Sequence, residues 1–329
     1  MASLGFGPSG TGINYATPWG EKPGWSGFAV TWPPGLYFIE EVIFVTQTIP
    51  AVKYAYIGGS GTWAGDFPLD IGLKGVEVLE DNLVFQTPYG ETVPLKLLKL
   101  DKEITADHKD RLVLSAAFHG WHSADAPANG PEQIFWVFMQ AGVKNIVVEG
   151  SGGGINTLLD PGDLIIPSDY IDMRKEPTVA LIPNKIVRML DPFCPTLRDT
   201  LYQEAQKEFP RVFNRGVYAT SQGPRFESAA EVKMLHNAHA DIAGITLSPE
   251  VYYARLIGAH IASIYLISNY AEGMITNWHG NEIFDLYKDS APKIGRLMLR
   301  TLANCGPNEC KCLDYRTDVD AKVQKNLAK

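Results

Sequence analysis

The apolar residues of this chain fall into short continuous runs, and each run ends on glycine or a polar loop. VKYAYI (52–57) runs into GGSGTW, RLVLSAAF (111–118) into HGWH, and NIVVE (145–149) into GSGGGIN. DLIIPSDYI (163–171), GVYATSQ (216–222), ADIAGIT (240–246) and HIASIYLIS (260–268) follow. Runs this short, bounded by glycine, read as strands buried on both faces. Segments with helical spacing lie between them. EQIFWVFMQAG follows Pro131 and closes on Gly142, and TLRDTLYQEAQKEF carries its apolar residues at helical intervals. SAAEVKMLHNAHA opens with Ser228 and Glu231, the spacing of a capping box. SPEVYYARLIGA places Ser248 at the N-cap and Pro249 at the first helical position. NEIFDLYKDSAPKIGRLMLRTLANC reads as a long closing helix, kinked or broken at Pro292. Strands alternating with helices predict an α/β fold: a single large domain whose mixed, mostly parallel central sheet is flanked by helices.

Residues 1–50 do not fit that pattern. They are rich in Gly, Pro and Trp and read as an extension. The main α/β domain is expected over 51–304, and 305–329 form a polar tail with a Cys-x-Cys. Length allows this, since 329 residues fall within the range of a single extended α/β domain. The formal charge of −8 argues against a nucleic-acid polymer as partner. No stretch approaches the ~18 apolar residues of a membrane span, and no secretory leader precedes the first run, so the expected location is the cytoplasm. Four cysteines are too few for a disulfide scaffold. Cys305, Cys310 and Cys312 lie close in sequence without a neighbouring His, so a local disulfide or free thiols is expected rather than a metal site.

In an open α/β sheet, ligands bind beyond the carboxyl ends of the strands, where these loops converge. Gly58–Gly61 and Gly150–Gly154 can bring backbone N–H groups to an anion or a sugar. Neither is a Walker loop or a complete dinucleotide fingerprint. The ordered set is more specific: GGSG, FHGWH, GSGGGINTLLDPGDLIIPSDYID, GVYATSQGPRFES, ADIAGITLSPEVYYA and ISNYAEGM. Over about residues 52–312 it resembles the trimeric purine nucleoside phosphorylase and methylthioadenosine phosphorylase family, nearest the branch that acts on methylthioinosine and other 6-oxopurine nucleosides. Cys310-Lys-Cys312 resembles the C-x-C tail of many methylthioadenosine phosphorylases.

The resemblance implies cleavage of the N-glycosidic bond of a purine nucleoside by phosphorolysis. It assigns Ser60, His119 and Thr246 to phosphate, and Ser151 and Gly152 to the border of phosphate and base. Phe226 and Glu227 fall at the purine, Ile245 under the ribose, Asn269 at N7, and His279 near the 5′ position. It further implies inorganic phosphate as co-substrate, no cofactor, and a homo-oligomer of three or six chains. The chemistry of the side chains is consistent with these roles. Negative charge develops on the departing base, and an amide donor at N7 stabilises it there. A Glu227 carboxylate accepts from N1–H of a 6-oxopurine, and adenine lacks that hydrogen.

Each residue also has a purely structural reading. Asn269 could cap a turn, Glu227 could belong to the capping region at Ser228, Thr246 could be a turn hydroxyl before Pro249, and His119 could sit in a surface loop. The chain also departs from the family. Phe118 and Ala117 stand where the family has a phosphate-binding Arg, Trp121 where a second Arg is frequent, and Glu149–Gly150 near a Ser/Thr. Arg225 and Arg255 are possible replacements. Two alternatives to phosphorolysis follow. One is a hydrolase using Glu149, Glu132 or His119 as base. The other is a nucleoside-binding protein without turnover.

Overall fold

The computed structural model describes residues 48–320 and 323, apart from 64, 123–128, 176–177, 276–279 and 308. These belong to one unit, Val45–Lys329. The extension expected over residues 1–50 lies outside the described residues except for 48–50, and His279 lies outside them as well.

Among the described residues, eleven strands share one sheet. They are β1 (Tyr54–Ile57), β2 (Val76–Leu83), β3 (Leu95–Leu100), β4 (Arg111–Ala116), β5 (Asn145–Gly154) and β6 (Leu164–Ile165). β7 (Asp169–Asp172), β8 (Val212–Phe213), β9 (Val217–Thr220), β10 (Ile242–Gly244) and β11 (His260–Tyr270) complete it. The order is β8-β6-β11-β5-β1-β4-β3-β2, and β10 leaves the end of β5 to carry β9 and then β7. At the centre β4, β1, β5 and β11 run parallel. β3 lies antiparallel to β4 and β2, β6 to β11, and β10 to β5. The sheet is therefore mixed and mostly parallel. The buried runs in the sequence mark its centre. The edge strand β2 is mostly exposed, so no continuous apolar run signals it.

Successive residues of the central strands serve opposite faces. Ala55, Ile57, Ile146 and Val148 pack with α2 (Gly130–Ala141) and α5 (Leu247–Ile257). Tyr56 and Val147 pack on the other side with α3 (Pro195–Ala205) and α6 (Gly280–Asn304). Phe135, Phe138, Leu197 and Leu297 are fully buried, each stabilising the fold by about 2 kcal/mol. The short α1 (Ser60–Trp63) follows β1 directly, and α4 (Ala229–Asn237) covers a smaller core under β9 and β10.

Local signals set the helix ends. α2 stops at Gly142, whose φ of 79° is left-handed. α4 begins with the capping box of Ser228 and Glu231. At α5 the cap shifts. Thr246 is the N-cap, Ser248 is extended, and its hydroxyl donates to Asp172 Oδ2 at 2.5 Å instead of capping. Of the kink or break expected at Pro292, the break does not occur. α6 runs unbroken, because Ala291 and Ile294 on either side are buried and that packing outweighs one lost N–H bond.

The Gly150–Gly154 segment is another correction, because it is not a loop. It forms the last half of β5, paired with β11 on one side and β10 on the other. Glycine is required there by close approach. A Cβ on Gly152 would lie 2.4 Å from Ala243 O, and one on Gly150 would lie 2.9 Å from the Tyr265 ring. Among the described residues no helix is long and apolar enough to cross a membrane.

Candidate active site

A cleft of about 380 Å³ opens at the carboxyl ends of the parallel strands. Ser60 follows β1, Phe118 and His119 follow β4, and Ser151 and Gly152 end β5. Phe226 and Glu227 follow β9, Ile245 and Thr246 follow β10, and Asn269 lies near the end of β11. All of these line the one cleft. They lie far apart in sequence, and parallel topology brings them to one edge. His279 lies outside the described residues, although its neighbour Gly280 lines the cleft.

Asn269 is buried beside a register shift between Ile267 and Asn269, so a bulge aims its side chain. Its Nδ2 donates to Tyr270 O at 2.9 Å, and its Oδ1 accepts from Ser268 Oγ at 2.7 Å. That fixes the amide and leaves one N–H and one lone pair for a ligand. Glu227 is not part of the helix cap, which Ser228 and Glu231 form by themselves. Glu227 is buried and its Oε1 accepts a short hydrogen bond from Ser221 Oγ. Phe226 is half exposed at the cleft.

At the other end, Ser60 Oγ and Ser151 Oγ lie 2.6 Å apart, and Ser151 Oγ lies 2.6 Å from Tyr287 OH on α6. Nothing in the sequence marks Tyr287, because its place in the stripe of α6 looks like packing. Thr246 Oγ1 is buried without a hydrogen bond of normal geometry. His119 does not sit in a surface loop. It is buried, with Nδ1 2.8 Å from Glu250 Oε1. Burial pushes the Glu250 carboxyl up, and His119 pulls it back. Glu250 is fully buried, its second oxygen has no hydrogen-bond partner among the described residues, and it orients His119. Phe118, His119 and Gly120 all have positive φ, which for two bulky residues is strained backbone held by its surroundings.

Where the family's guanidiniums were expected, Phe118 and Trp121 meet edge to face with centroids 5.4 Å apart. Arg255 does not replace them. It is buried and donates to Arg188 O at 3.0 Å and Asp191 O at 2.6 Å. Arg225 lines the cleft but forks onto Glu231. The first Gly-rich loop closes around an internal carboxyl group. Glu149 Oε1 accepts from Gly59 N at 2.5 Å, Thr62 N at 3.1 Å and Thr62 Oγ1 at 2.7 Å. Glu149 is thus an anchor for the loop, and Glu132 accepts from Tyr253 OH at 2.6 Å.

Comparison with known proteins bears on the family and the fold. A family model described as Phosphorylase superfamily matches residues 127–303. A probable S-methyl-5′-thioinosine phosphorylase of Methanopyrus kandleri is 32% identical over 232 residues, 69% of this chain and 87% of that one. The S-methyl-5′-thioadenosine phosphorylase of Pyrococcus horikoshii is 28% identical, covering 79% of this chain and 95% of that one. A methylthioadenosine phosphorylase from Schistosoma mansoni, solved in complex with adenine, superposes with a TM-score of 0.61. That match covers 77% of this chain and 91% of that one at 21% identity, so it speaks for the fold alone.

Proposed function

This chain belongs to the phosphorylase superfamily, and from that premise we propose that it cleaves the N-glycosidic bond of a 6-oxopurine nucleoside by phosphorolysis. The observation that carries the reading is the pair Glu227 and Asn269, both buried and both lining one cleft with the hydroxyls of Ser60, Ser151 and Thr246. A purine stacked against Phe226 offers N1–H to Glu227 and its N7 lone pair to the free N–H of Asn269. A phosphate oxygen attacks C1′ as the C1′–N9 bond breaks, and the bonding pair leaves with the base. Asn269 stabilises that charge at N7, an interaction typically worth 10²–10³ in rate. His119, held by Glu250, supports the phosphate with the three hydroxyls, and Ile245 lies under the ribose. Ile283 and Phe284 give the cleft an apolar flank suited to a 5′-methylthio group.

The test uses inosine, 5′-methylthioinosine, adenosine and 5′-methylthioadenosine, each with and without phosphate. The expected result is sugar 1-phosphate formed only with phosphate, and faster turnover of the 6-oxo substrates. A preference for the 6-amino substrates sinks the roles given to Glu227 and Asn269. The hydrolytic reading is favoured by one observation, the aromatic wall in place of the guanidiniums. Glu149 and Glu132 are engaged elsewhere, which leaves it His119 as base. Base release unchanged by omitting phosphate is the result that would establish it. We also place the protein as a homo-oligomer of three or six chains, on the family resemblance. Light scattering giving the 36.2 kDa of one chain refutes this.

A further inference from the structure

Cys194, His260, Cys310 and Cys312 come from three separate parts of the chain and meet at one point. Cys194 is the N-cap of α3, His260 is the first residue of β11, and Cys310 and Cys312 belong to the tail after α6. One ligand atom from each lies within 4.8 Å of all the others. Cys194 Sγ is 3.7 Å from Cys310 Sγ, and Cys310 Sγ is 3.3 Å from His260 Nδ1. The cysteines are free, so the local disulfide that the C-x-C spacing admits is not formed. The tail has no His of its own, and the fold supplies one from 50 residues away.

The spacing of these atoms has a chemical meaning. A tetrahedron with zinc–sulfur bonds of about 2.3 Å has sulfur–sulfur edges of about 3.8 Å, and its sulfur–imidazole edges are about 3.6 Å. Two of the six pairs, at 3.7 Å and 3.3 Å, lie near those edges, and the rest fall within 4.8 Å. A disulfide at about 2.05 Å would require the two sulfurs to close by more than 1 Å. Two backbone contacts hold the ligands in place without a metal. Cys194 N donates to Ile261 O at 2.9 Å, and Thr196 Oγ1 donates to Glu309 O at 3.2 Å. Cys194 and Cys312 are buried, and Cys310 and His260 are partly covered.

We propose that Cys194, His260, Cys310 and Cys312 form a closed tetrahedral site for a zinc ion, which staples the C-terminal tail to α3 and to the start of β11. Three thiolates and one imidazole are a donor set that selects zinc over harder cations. The thiols give up their protons on binding, and four protein ligands leave no open position, so the metal is structural. Its place agrees with that role. His260 begins β11, whereas Asn269 sits near the other end of the same strand, about 30 Å away at ~3.3 Å per residue.

The test is elemental analysis of tag-free protein purified without chelator, with intact-mass measurement under non-reducing conditions. The expected result is about one zinc per chain, released by a mercurial titrant. Cys310→Ser should lower the zinc content at least tenfold, and Cys305→Ser, outside the cluster, should leave it unchanged. Wild-type protein should lose thermal stability in a strong chelator, while Cys310→Ser should show no further loss. Metal-free wild-type protein with titratable thiols, or a mass 2 Da low from a disulfide, overturns the proposal without bearing on the nucleoside cleft.

Discussion

At the scale of single residues, the two ends of the cleft are built by different means. The base end is preorganised by partners within the chain: Ser268 and Tyr270 hold the Asn269 amide, and Ser221 holds Glu227. Asn269→Ala removes the donor to N7 where charge develops, so kcat should fall about 10²–10³-fold with little change in melting temperature. Glu227→Ala should instead narrow the difference in kcat/KM between inosine and adenosine, because the group that distinguishes N1–H from a bare N1 is gone. If turnover and base preference survive both substitutions, the base end has been misplaced. In the proposed roles the phosphate end depends on His119, whose Nδ1 lies 2.8 Å from Glu250 Oε1. Glu250→Gln keeps an acceptor for Nδ1–H but removes the carboxylate. The KM for phosphate should rise about tenfold while the KM for nucleoside stays constant, as for loss of one charge-assisted bond. A matching rise in both would mean that Glu250 only supports the fold. FHGWH marks His119 in the sequence, but its partner could not be read there, because Glu250 is 131 residues away and looks like a first-turn helix residue.

At the scale of elements, legibility followed how local the cause is. The capping box at Ser228 and the stop at Gly142 depend on residues a few positions apart, and both stand as read. The continuity of α6 through Pro292 and the strand at Gly150–Gly154 could not be read locally, because tertiary packing decides them. α6 is held on both sides of its proline by buried residues, and the glycines of β5 exist to let β10 and β11 approach. The cap of α4 gives a quantitative expectation. Its second member, Glu231, also forks with Arg225. The Arg225 guanidinium, and then the Ser228 N–H, hold the Glu231 carboxyl at about 2, below its ordinary 4.5. A depressed carboxyl stabilises the fold at pH values above its unfolded value and loses that contribution as the pH falls through the folded one. Glu231 therefore contributes fully above about pH 4.5, and its share disappears between there and about pH 2. Urea melts of wild type and Glu231→Gln should converge over that window and differ above it. Ser228→Ala should cost about 1 kcal/mol at neutral pH. Parallel curves at every pH would show that the fork contributes nothing to folding.

At the scale of the whole molecule, the α/β class and the edge that holds the cleft were legible, because most buried runs end in a loop and parallel strands send their ends to one side. What could not be read is the balance of charge inside the cleft. Glu227 and Glu272 line it, and Glu149 and Glu250 are fully buried around it. Against them stand Arg225, already forked onto Glu231, and His119, already on Glu250. The chain as a whole carries −8. A phosphate dianion approaches a molecule of its own net sign, with no guanidinium at Phe118 or Trp121 to offset it. Salt screens such repulsion over roughly 8–10 Å at physiological ionic strength. Raising ionic strength from about 10 to about 150 mM should therefore increase kcat/KM for phosphate, by about twofold, and leave kcat/KM for the uncharged nucleoside unchanged. In Phe118→Arg the trend should reverse, because an attractive cation is weakened by the same screening. Steady-state kinetics in both co-substrates at matched pH decides the matter. A wild-type rate that falls steeply with salt would mean that a cation outside the described residues guards the phosphate end.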